Sequence, residues 1–235
     1  LLAPVLVFAA PLAAFAAIPF GRTIEAAGMR IPLEIAPTSG GVLLLVAVAS
    51  MSVYGLVLAG WASNSKYSFL GAMRSAAQLI SYEVGMGLAL VAVFMTAGSI
   101  EPSAIVRDQA DRLFLGFLPA WNVFRQPLAF LIFLPAMFAE TNRLPFDLPE
   151  AEPELIGGYH TEYGGIRFGL FFTGEYVALV TASALAVTLF FGGWHVPGLG
   201  SGPAGPVLAL LSVAAFGVKV AAFLFFFIWV RWTLP

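Results

Sequence analysis

The residues best suited to chemistry in this chain are carboxylates concentrated in one short segment. The stretch from Ala139 to Gly165 reads AETNRLPFDLPEAEPELIGGYHTEYGG and holds six of the thirteen acidic residues. The six are Glu140, Asp147, Glu150, Glu152, Glu154 and Glu162. Apolar segments flank this stretch on both sides, and charge close to lipid is costly and usually functional. The pattern therefore indicates handling of protons or cations.

Three more ionisable residues lie inside apolar segments, namely Glu83, Glu175 and Lys219. Burial disfavours the charged form of a carboxyl group, so a buried glutamate can exchange a proton near neutral pH. Helical rise predicts that all three are reached from the side of the acidic segment, in a file entering the bilayer. The alternative is static pairing of a glutamate with Lys219 or an arginine to hold helices together.

Neighbouring residues suggest local roles. Asp147 and Glu150 have the spacing of a capping box for a short helix near Leu148. Arg143 follows Glu140 by three residues and is predicted to pair with it. Gly85 and Gly87 favour close helix packing.

The aromatic and basic residues of 61–74 form an amphipathic stretch on the same side as the acidic segment. An aromatic belt at the membrane interface, flanked by cations, is the alternative explanation. Around Glu175, residues at helical spacing, among them Phe168, give the carboxyl group apolar surroundings. His160 and His195 are far apart in the sequence and make a poor metal site.

Composition places these residues in a helical membrane protein. The chain of 235 residues is 60% hydrophobic and 10% charged, with mean hydropathy +0.92. A soluble domain carries about 25% charged residues. The net charge of −2 gives no support for nucleic-acid binding. Because cysteine is absent, disulfides and cysteine-ligated clusters are excluded, and any redox centre is expected in a partner.

The elements that must position the candidate residues are transmembrane helices. Six segments are apolar enough to span a bilayer, which takes about 20 residues: 1–20, 41–61, 77–98, 125–139, 167–191 and 206–230. The fourth is short and is expected to begin near Leu115, with breaks at Pro119 and Pro127. The mixture of apolar and charged residues in 101–113 predicts a short interfacial helix. The Gly/Pro-rich composition of 192–206 predicts an irregular loop. Because the chain starts at Leu1 within an apolar run, we expect a piece of a longer protein.

The loops alternate between two sides of the membrane. Loops 62–76 and 140–166 and the C-terminal end share one side, opposite loops 21–40, 99–124 and 192–205. Each side carries five Lys or Arg residues, so the positive-inside rule does not orient the chain.

Three motifs resemble the H-subunit family of NADH–quinone oxidoreductase, the respiratory complex I. They are the acidic segment, GWASNSKYSFLGAMRSAAQLISYEVG and FIWVRWTLP. The resemblance covers essentially the whole chain. It implies an all-α fold of eight spans, of which this chain holds about six and lacks the first and last. It also implies that loops 62–76 and 140–166 are cytoplasmic.

The resemblance implies a membrane protein that helps to form a quinone-reduction chamber and relays coupling to proton-pumping subunits. It carries no redox centre or metal of its own, and quinone is a substrate shared with partner subunits. The implied coupling path runs through Glu83, Glu140, Asp147, Glu150, Glu152, Glu154, Glu162, Glu175 and Lys219. Chamber or partner-facing residues are Trp61, Lys66, Arg74, Arg143, Phe168 and Arg231.

The implied partners are peripheral-arm iron–sulfur and quinone-site subunits, small membrane subunits, antiporter-like subunits and membrane lipid. The location is a bacterial plasma membrane, with the mitochondrial inner membrane as the alternative. One rival interpretation is the related subunit of a membrane-bound energy-converting hydrogenase, which uses no quinone. Another is a stand-alone proton or cation transporter, and a third is a simple membrane anchor, which the buried glutamates argue against.

Overall fold

The computed structural model describes residues 2–26, 29–37, 40–111, 113–114, 118–143, 145–146, 158–197, 202 and 205–233. Helices dominate these ranges. They are α1 (Leu2–Phe15), α2 (Gly41–Ala49), α3 (Met51–Ala62), α4 (Lys66–Ala97), α5 (Pro102–Asp111), α6 (Asn122–Arg125), α7 (Pro127–Glu140), α8 (Ile166–Phe190) and α9 (Pro206–Thr233). A 3-10 helix spans Gly158–His160.

Two small antiparallel hairpins complete the described fold. Strands β1 (Ile24–Ala26) and β2 (Met29–Ile31) pair with Glu25 opposite Arg30, and these two side chains form an ion pair at 3.4 Å. Strands β3 (Leu113–Phe114) and β4 (Leu118–Pro119) form the second hairpin.

The prediction of an all-α polytopic membrane protein is confirmed. Within the described residues, four segments are long and apolar enough to cross a membrane: Gly41–Ala62, which combines α2 and α3, Lys66–Ala97, Ile166–Phe190 and Pro206–Thr233. Helices α1 and α7 are apolar and have 14 residues each. They correspond to the first and fourth predicted spans.

Helix α4 begins at Lys66, well before the predicted start at residue 77. The additional turns bury small residues at helical spacing, among them Ser68, Ala72 and Ser75. The opposite face carries exposed Tyr67 and Leu70. This stretch is amphipathic rather than uniformly apolar, so a hydropathy window does not detect it.

The expected start of the fourth span near Leu115 is wrong. The chain forms the β3–β4 hairpin and the single turn α6 before α7 begins at Pro127. Gln126, with φ −134° and ψ 58°, breaks the helical path, because a residue before proline is disfavoured in the helical region.

Segment 101–113 does contain the predicted short helix, α5. Its apolar Ile105 and Val106 are fully buried within the protein, so the helix packs on the core rather than in lipid.

Helix ends fall on two sides, as the loop alternation predicts. The end of α3, the start of α4, the end of α7 and the Gly158–His160 turn lie together, and we call this the acidic side. There Ser68 Oγ donates to the Tyr159 carbonyl at 3.3 Å. On the opposite side, Arg22 N donates to Ser212 Oγ at 3.0 Å and so ties the first loop to α9.

Close helix crossings depend on three glycines. A Cβ at Gly55 would lie 2.7 Å from Val7 Cγ2. A Cβ at Gly174 would lie 3.0 Å from the Val7 carbonyl oxygen. One at Gly60 would lie 2.4 Å from Ala72 Cβ. The close packing predicted for Gly85 and Gly87 is not observed. A Cβ at Gly85 would have Ile132 Cγ2 as its neighbour, at 3.9 Å, and a Cβ at Gly87 would meet no atom within 4 Å.

Proline explains the crossing at Gly174. Pro11 has no N–H to donate to the carbonyl of Val7, four residues earlier in α1. That carbonyl faces Gly174, where the absent side chain lets α8 approach. Helix α1 thus packs closely against both α3 and α8 and brings them to one site.

Candidate functional site

Glu140 is the last residue of α7, and the chain beyond it is firmly held. Asn142 has a positive φ of 47°, a conformation in which Asn often ends helices. Arg143 N donates back to the Phe138 carbonyl at 3.3 Å. From α4, Gln78 Nε2 donates to the carbonyls of Ala139 at 3.3 Å and Phe146 at 2.8 Å. These bonds fix the Glu140 backbone relative to α4.

Three small cavities surround the Glu140 side chain. Glu140 and Ser52 line all three. The first, of about 10 Å³, also includes Glu83. The second, of about 30 Å³, leads toward Thr181, and the third, also about 30 Å³, includes Glu175.

The cavities place the three half-buried glutamates around one shared interior space. A water molecule needs roughly 10–15 Å³ of accessible space and several polar partners. Thus the second and third cavities each have room for a water between polar groups. The structure therefore brings Glu83, Glu140 and Glu175 to one site, with Glu140 in the middle.

Glu83 is bonded to the junction between α2 and α3. Ser50 Oγ lies within hydrogen-bond distance of both Glu83 Oε1 and the Val46 carbonyl. A hydroxyl group has one hydrogen and can donate to one of them at a time. When Glu83 is ionised, Ser50 can donate to the carboxylate. When Glu83 is protonated, it can donate to Ser50, which then donates to Val46.

Glu175 is held from the acidic side by a tyrosine. The Tyr159 hydroxyl donates to Glu175 Oε1 at 2.9 Å. Tyr159 is fully buried, and its ring contacts Phe171 with centroids 5.6 Å apart. Because Tyr159 lies within the acidic segment, it links that segment to a glutamate inside the helix bundle.

Arg143 lies over Tyr176, with its Cζ atom 4.6 Å from the ring centroid. The predicted ion pair with Glu140 does not occur among the described residues, since the described salt bridges involve other arginines. Two buried nitrogens, Nε and Nη2, have no hydrogen-bond acceptor among those residues. Arg143 thus presents donors beside the glutamate site.

An aromatic row leads along α8 toward Arg143. Phe168, Phe172 and Tyr176 lie four residues apart with neighbouring centroids separated by 5.6 and 5.8 Å. All three side chains are partly exposed on the outer face of the helix. Phe168 is therefore part of a continuous aromatic surface that begins at the acidic side.

The remaining predicted chamber residues and Glu162, which belongs to the predicted coupling path, are spread around the acidic side. Trp61, Lys66, Glu162 and Arg231 are exposed, and Arg74 is half-buried. The structure does not bring them into one cluster with the three glutamates. Asp147, Glu150, Glu152 and Glu154, with the capping box predicted there, lie outside the described residues.

Lys219 lies apart from the glutamates, contrary to the predicted file. Its Nζ atom donates to the carbonyls of Phe191 at 2.9 Å, Gly193 at 2.9 Å and His195 at 2.7 Å. These carbonyls belong to the turn after α8, on the opposite side. Counting residues along α9 gives depth but not rotation, so the sequence alone could not identify this partner.

Sequence reasoning missed Ser50, Ser52, Tyr159 and Gln78. Serine in an apolar helix is a signal, because intramembrane hydroxyl groups usually face other protein groups. Gln78 could have been found in the same way. Among the described residues, no three His, Asp or Glu side chains lie close enough to hold a metal ion.

Comparisons with known proteins match the whole chain. The family described as NADH dehydrogenase matches residues 1–235. The H subunit of NADH-quinone oxidoreductase from Protochlamydia amoebophila is 47% identical over 234 residues, covering 100% of this chain and 66% of the relative. The H subunit of NADH-quinone oxidoreductase from Frankia casuarinae is 48% identical over 235 residues, covering 100% of this chain and 50% of the relative.

A third relative, NADH-quinone oxidoreductase subunit 8 from Rhodothermus marinus, is 49% identical over 242 residues. The alignment covers 100% of this chain and 67% of that protein. This chain thus spans between half and two thirds of the length of these relatives.

Proposed function

The chain belongs to the NADH dehydrogenase family, and we propose that it is the H-type membrane subunit of a proton-pumping NADH–quinone oxidoreductase. In this role it helps to form the quinone-reduction chamber and transmits the effect of quinone reduction to proton-pumping subunits. Electrons reach the quinone from redox centres in partner subunits. We place the complex in a bacterial plasma membrane.

The position of Glu140 carries this proposal. It lines all three cavities, with Glu83 on one and Glu175 on another. Two carboxylates that share a small, poorly hydrated space disfavour each other's charge. A proton bound by one glutamate therefore changes the proton affinity of the next, and this supports a relay from α8 through α7 to α4.

Quinone reduction is coupled to this relay at the acidic side. The exposed row of Phe168, Phe172 and Tyr176 provides an apolar, aromatic path for a quinone. Arg143 lies at its inner end, over the Tyr176 ring, with two buried nitrogens that have no acceptor among the described residues. A change in quinone charge acts on this arginine, and Tyr159 passes the change to Glu175.

The test is Glu140→Gln in the assembled membrane complex. Glutamine keeps the size of glutamate and, like protonated glutamic acid, both donates and accepts hydrogen bonds, but it cannot exchange a proton. We expect proton uptake into vesicles to fall at least about tenfold while the complex retains its normal subunit composition. NADH–quinone reductase activity is measured on the same vesicles.

Glu25→Gln is the control, because Glu25 is an exposed carboxylate that lies outside the predicted coupling path. It is expected to keep full pumping. Full activity and full pumping in Glu140→Gln would contradict the relay. Copurification of the chain with a nickel–iron subunit, rather than NADH-oxidising subunits, would instead support the hydrogenase alternative.

A further inference from the structure

The turn after α8 has a conformation that few sequences could adopt. Gly192 and Gly193 have positive φ values of 69° and 50°, which glycine adopts without the strain a side chain would cause. A Cβ at Gly192 would lie 2.7 Å from Trp121 Nε1, and one at Gly193 would lie 2.6 Å from Val106 Cγ2. Both glycines are therefore needed for conformation and for space.

Gln109 on α5 holds this turn in place. Gln109 is fully buried, and its Oε1 atom accepts hydrogen bonds from Gly192 N and Asn122 N, each at 3.1 Å. Its Nε2 atom donates to the Thr188 carbonyl at 3.1 Å. Asn122 Nδ2 also donates to the Leu189 carbonyl at 2.8 Å. The last turn of α8 and the residues after it are thus fixed by side chains from α5 and α6.

The fixed turn directs three carbonyl oxygens to one point. The carbonyls of Phe191, Gly193 and His195 lie 2.7–2.9 Å from Lys219 Nζ. An ammonium group has three hydrogens, and each has an acceptor here. Trp121 adds a cation–π contact, with Nζ 5.0 Å from the ring centroid.

We infer that the turn Phe191–His195, organised by Gln109, is a built binding site for one primary ammonium group, which Lys219 fills. The carbonyls and the indole ring are positioned by bonds that do not involve the lysine. Once the lysine side chain is removed, the site binds a small primary alkylammonium ion from solution. This inference concerns the side opposite the glutamates and does not depend on the proposed relay.

The experiment adds ethylammonium chloride to the detergent-solubilised complex carrying Lys219→Ala. The readout is the temperature at which an epitope-tagged copy of this subunit is lost from the soluble fraction. Detergent is used because free amines would collapse a proton gradient across vesicles. We expect Lys219→Ala to lower this midpoint by on the order of 5 °C, and ethylammonium to restore at least half of the loss with saturable dependence on concentration.

Two comparisons identify the cause of the rescue. Lys219→Met is the matched control, since its side chain fills the space of the lysine stem but carries no charge, and ethylammonium should not stabilise it. Tetramethylammonium has a charge but no N–H group. It should not rescue Lys219→Ala if the carbonyls form the site. Equal effects of both ions, or no effect of ethylammonium, would overturn the inference.

A double-mutant cycle tests the organising role of Gln109 and does not require Lys219→Ala to assemble. Gln109 bonds to the turn rather than to Lys219, so Gln109→Leu weakens the site indirectly. We expect Gln109→Leu and Lys219→Met each to lower the midpoint, and the double variant to lower it by clearly less than the sum. Additive losses would show that the glutamine does not organise the site.

Discussion

At the residue scale, hydroxyl groups accompany the half-buried glutamates. Ser50 is bonded to Glu83, Tyr159 to Glu175, and Ser52 lines the three cavities described around Glu140. A hydroxyl group can both donate and accept, so it can follow either protonation state of a carboxyl group. The sequence identifies the carboxylates, whereas their partners come from distant helices.

Tyr159→Phe tests the link between the acidic segment and Glu175. The change removes one donor to a buried carboxyl group, and we expect it to cost about 1–2 kcal/mol of stability. Proton uptake per NADH oxidised should fall several-fold, because Glu175 loses its connection to the segment. Tyr163→Phe is the control, since its hydroxyl group makes a longer bond of 3.4 Å to the Ala59 carbonyl. Equal pumping in the two variants would argue against the link.

Glu34, on the opposite side, gives a prediction about pH. Burial and the nearby Glu101 raise the pKa of Glu34 from its ordinary value of 4.5, and Arg107 partly offsets this. The folded state then binds this proton more tightly than the unfolded state, so stability falls as pH rises above about 4.5 through the raised pKa. Replacing Glu34 by Gln removes this loss.

The expected result is that Glu34→Gln has a higher thermal midpoint than the wild type at pH 7, with little difference at pH 4. The thermal midpoints of the solubilised complex at the two pH values provide the measurement. Glu25→Gln controls for the loss of one surface charge in the same loop. A difference that is equal at both pH values would contradict the assignment to Glu34.

At the element scale, close crossings of α1 with its neighbours set the spacing of the site. Gly55 and Gly174 let α1 approach α3 and α8, and the cavity that joins Glu140 to Glu175 is lined by Val7 and Pro11 of α1. Small residues at such crossings allow backbones to pack closely within membranes. The separation of α1 from α8 therefore controls the space around Glu175.

Gly174→Val tests this crossing. The new side chain would clash with the backbone of α1, and we expect a loss of about 1–3 kcal/mol together with lower pumping. Gly169→Val is the matched control on the same helix, because a Cβ at Gly169 would meet no atom within 4 Å. Thermal midpoints of the two variants are compared directly. Similar losses in both would point to helix propensity rather than to the crossing.

At the scale of the whole molecule, the two sides have different roles. The acidic side holds the glutamate site and the aromatic row, while the opposite side holds the Lys219 turn and the β1–β2 hairpin. Ser212 and Gln109 connect loops of the opposite side to α9 and α8. We therefore expect each side to be labelled from a different face of the membrane.

Cysteine labelling tests this arrangement, and the absence of cysteine from the chain makes each introduced thiol unique within these 235 residues. Glu162→Cys lies on the acidic side, and Met29→Cys lies in the opposite hairpin, where Met29 is exposed. A membrane-impermeant maleimide should label Glu162→Cys in inside-out vesicles and Met29→Cys in right-side-out vesicles. Labelling of both from one face would contradict the topology.

The class of the fold and the candidate residues for proton exchange follow from the amino-acid sequence. Hydrophobic segments about 20 residues long can satisfy their backbone hydrogen bonds in lipid only as helices, and charge is rare enough there to mark Glu83, Glu140 and Glu175. The amphipathic start of α4 and the hairpin before α7 do not follow from the sequence. In both places the average hydropathy is too low to mark the element. The proton-path roles of all these candidate residues stay predictions, and Asp147, Glu150, Glu152 and Glu154 lie outside the described residues.

Which charged residues belong together depends instead on tertiary contacts. Position along a helix gives depth in the membrane, but the partner of a side chain depends on helix rotation and on contacts between distant segments. These contacts bring Glu83 and Glu175 to cavities shared with Glu140. They also direct Lys219 to the carbonyls of a glycine turn, because this turn brings together three acceptors for its ammonium group.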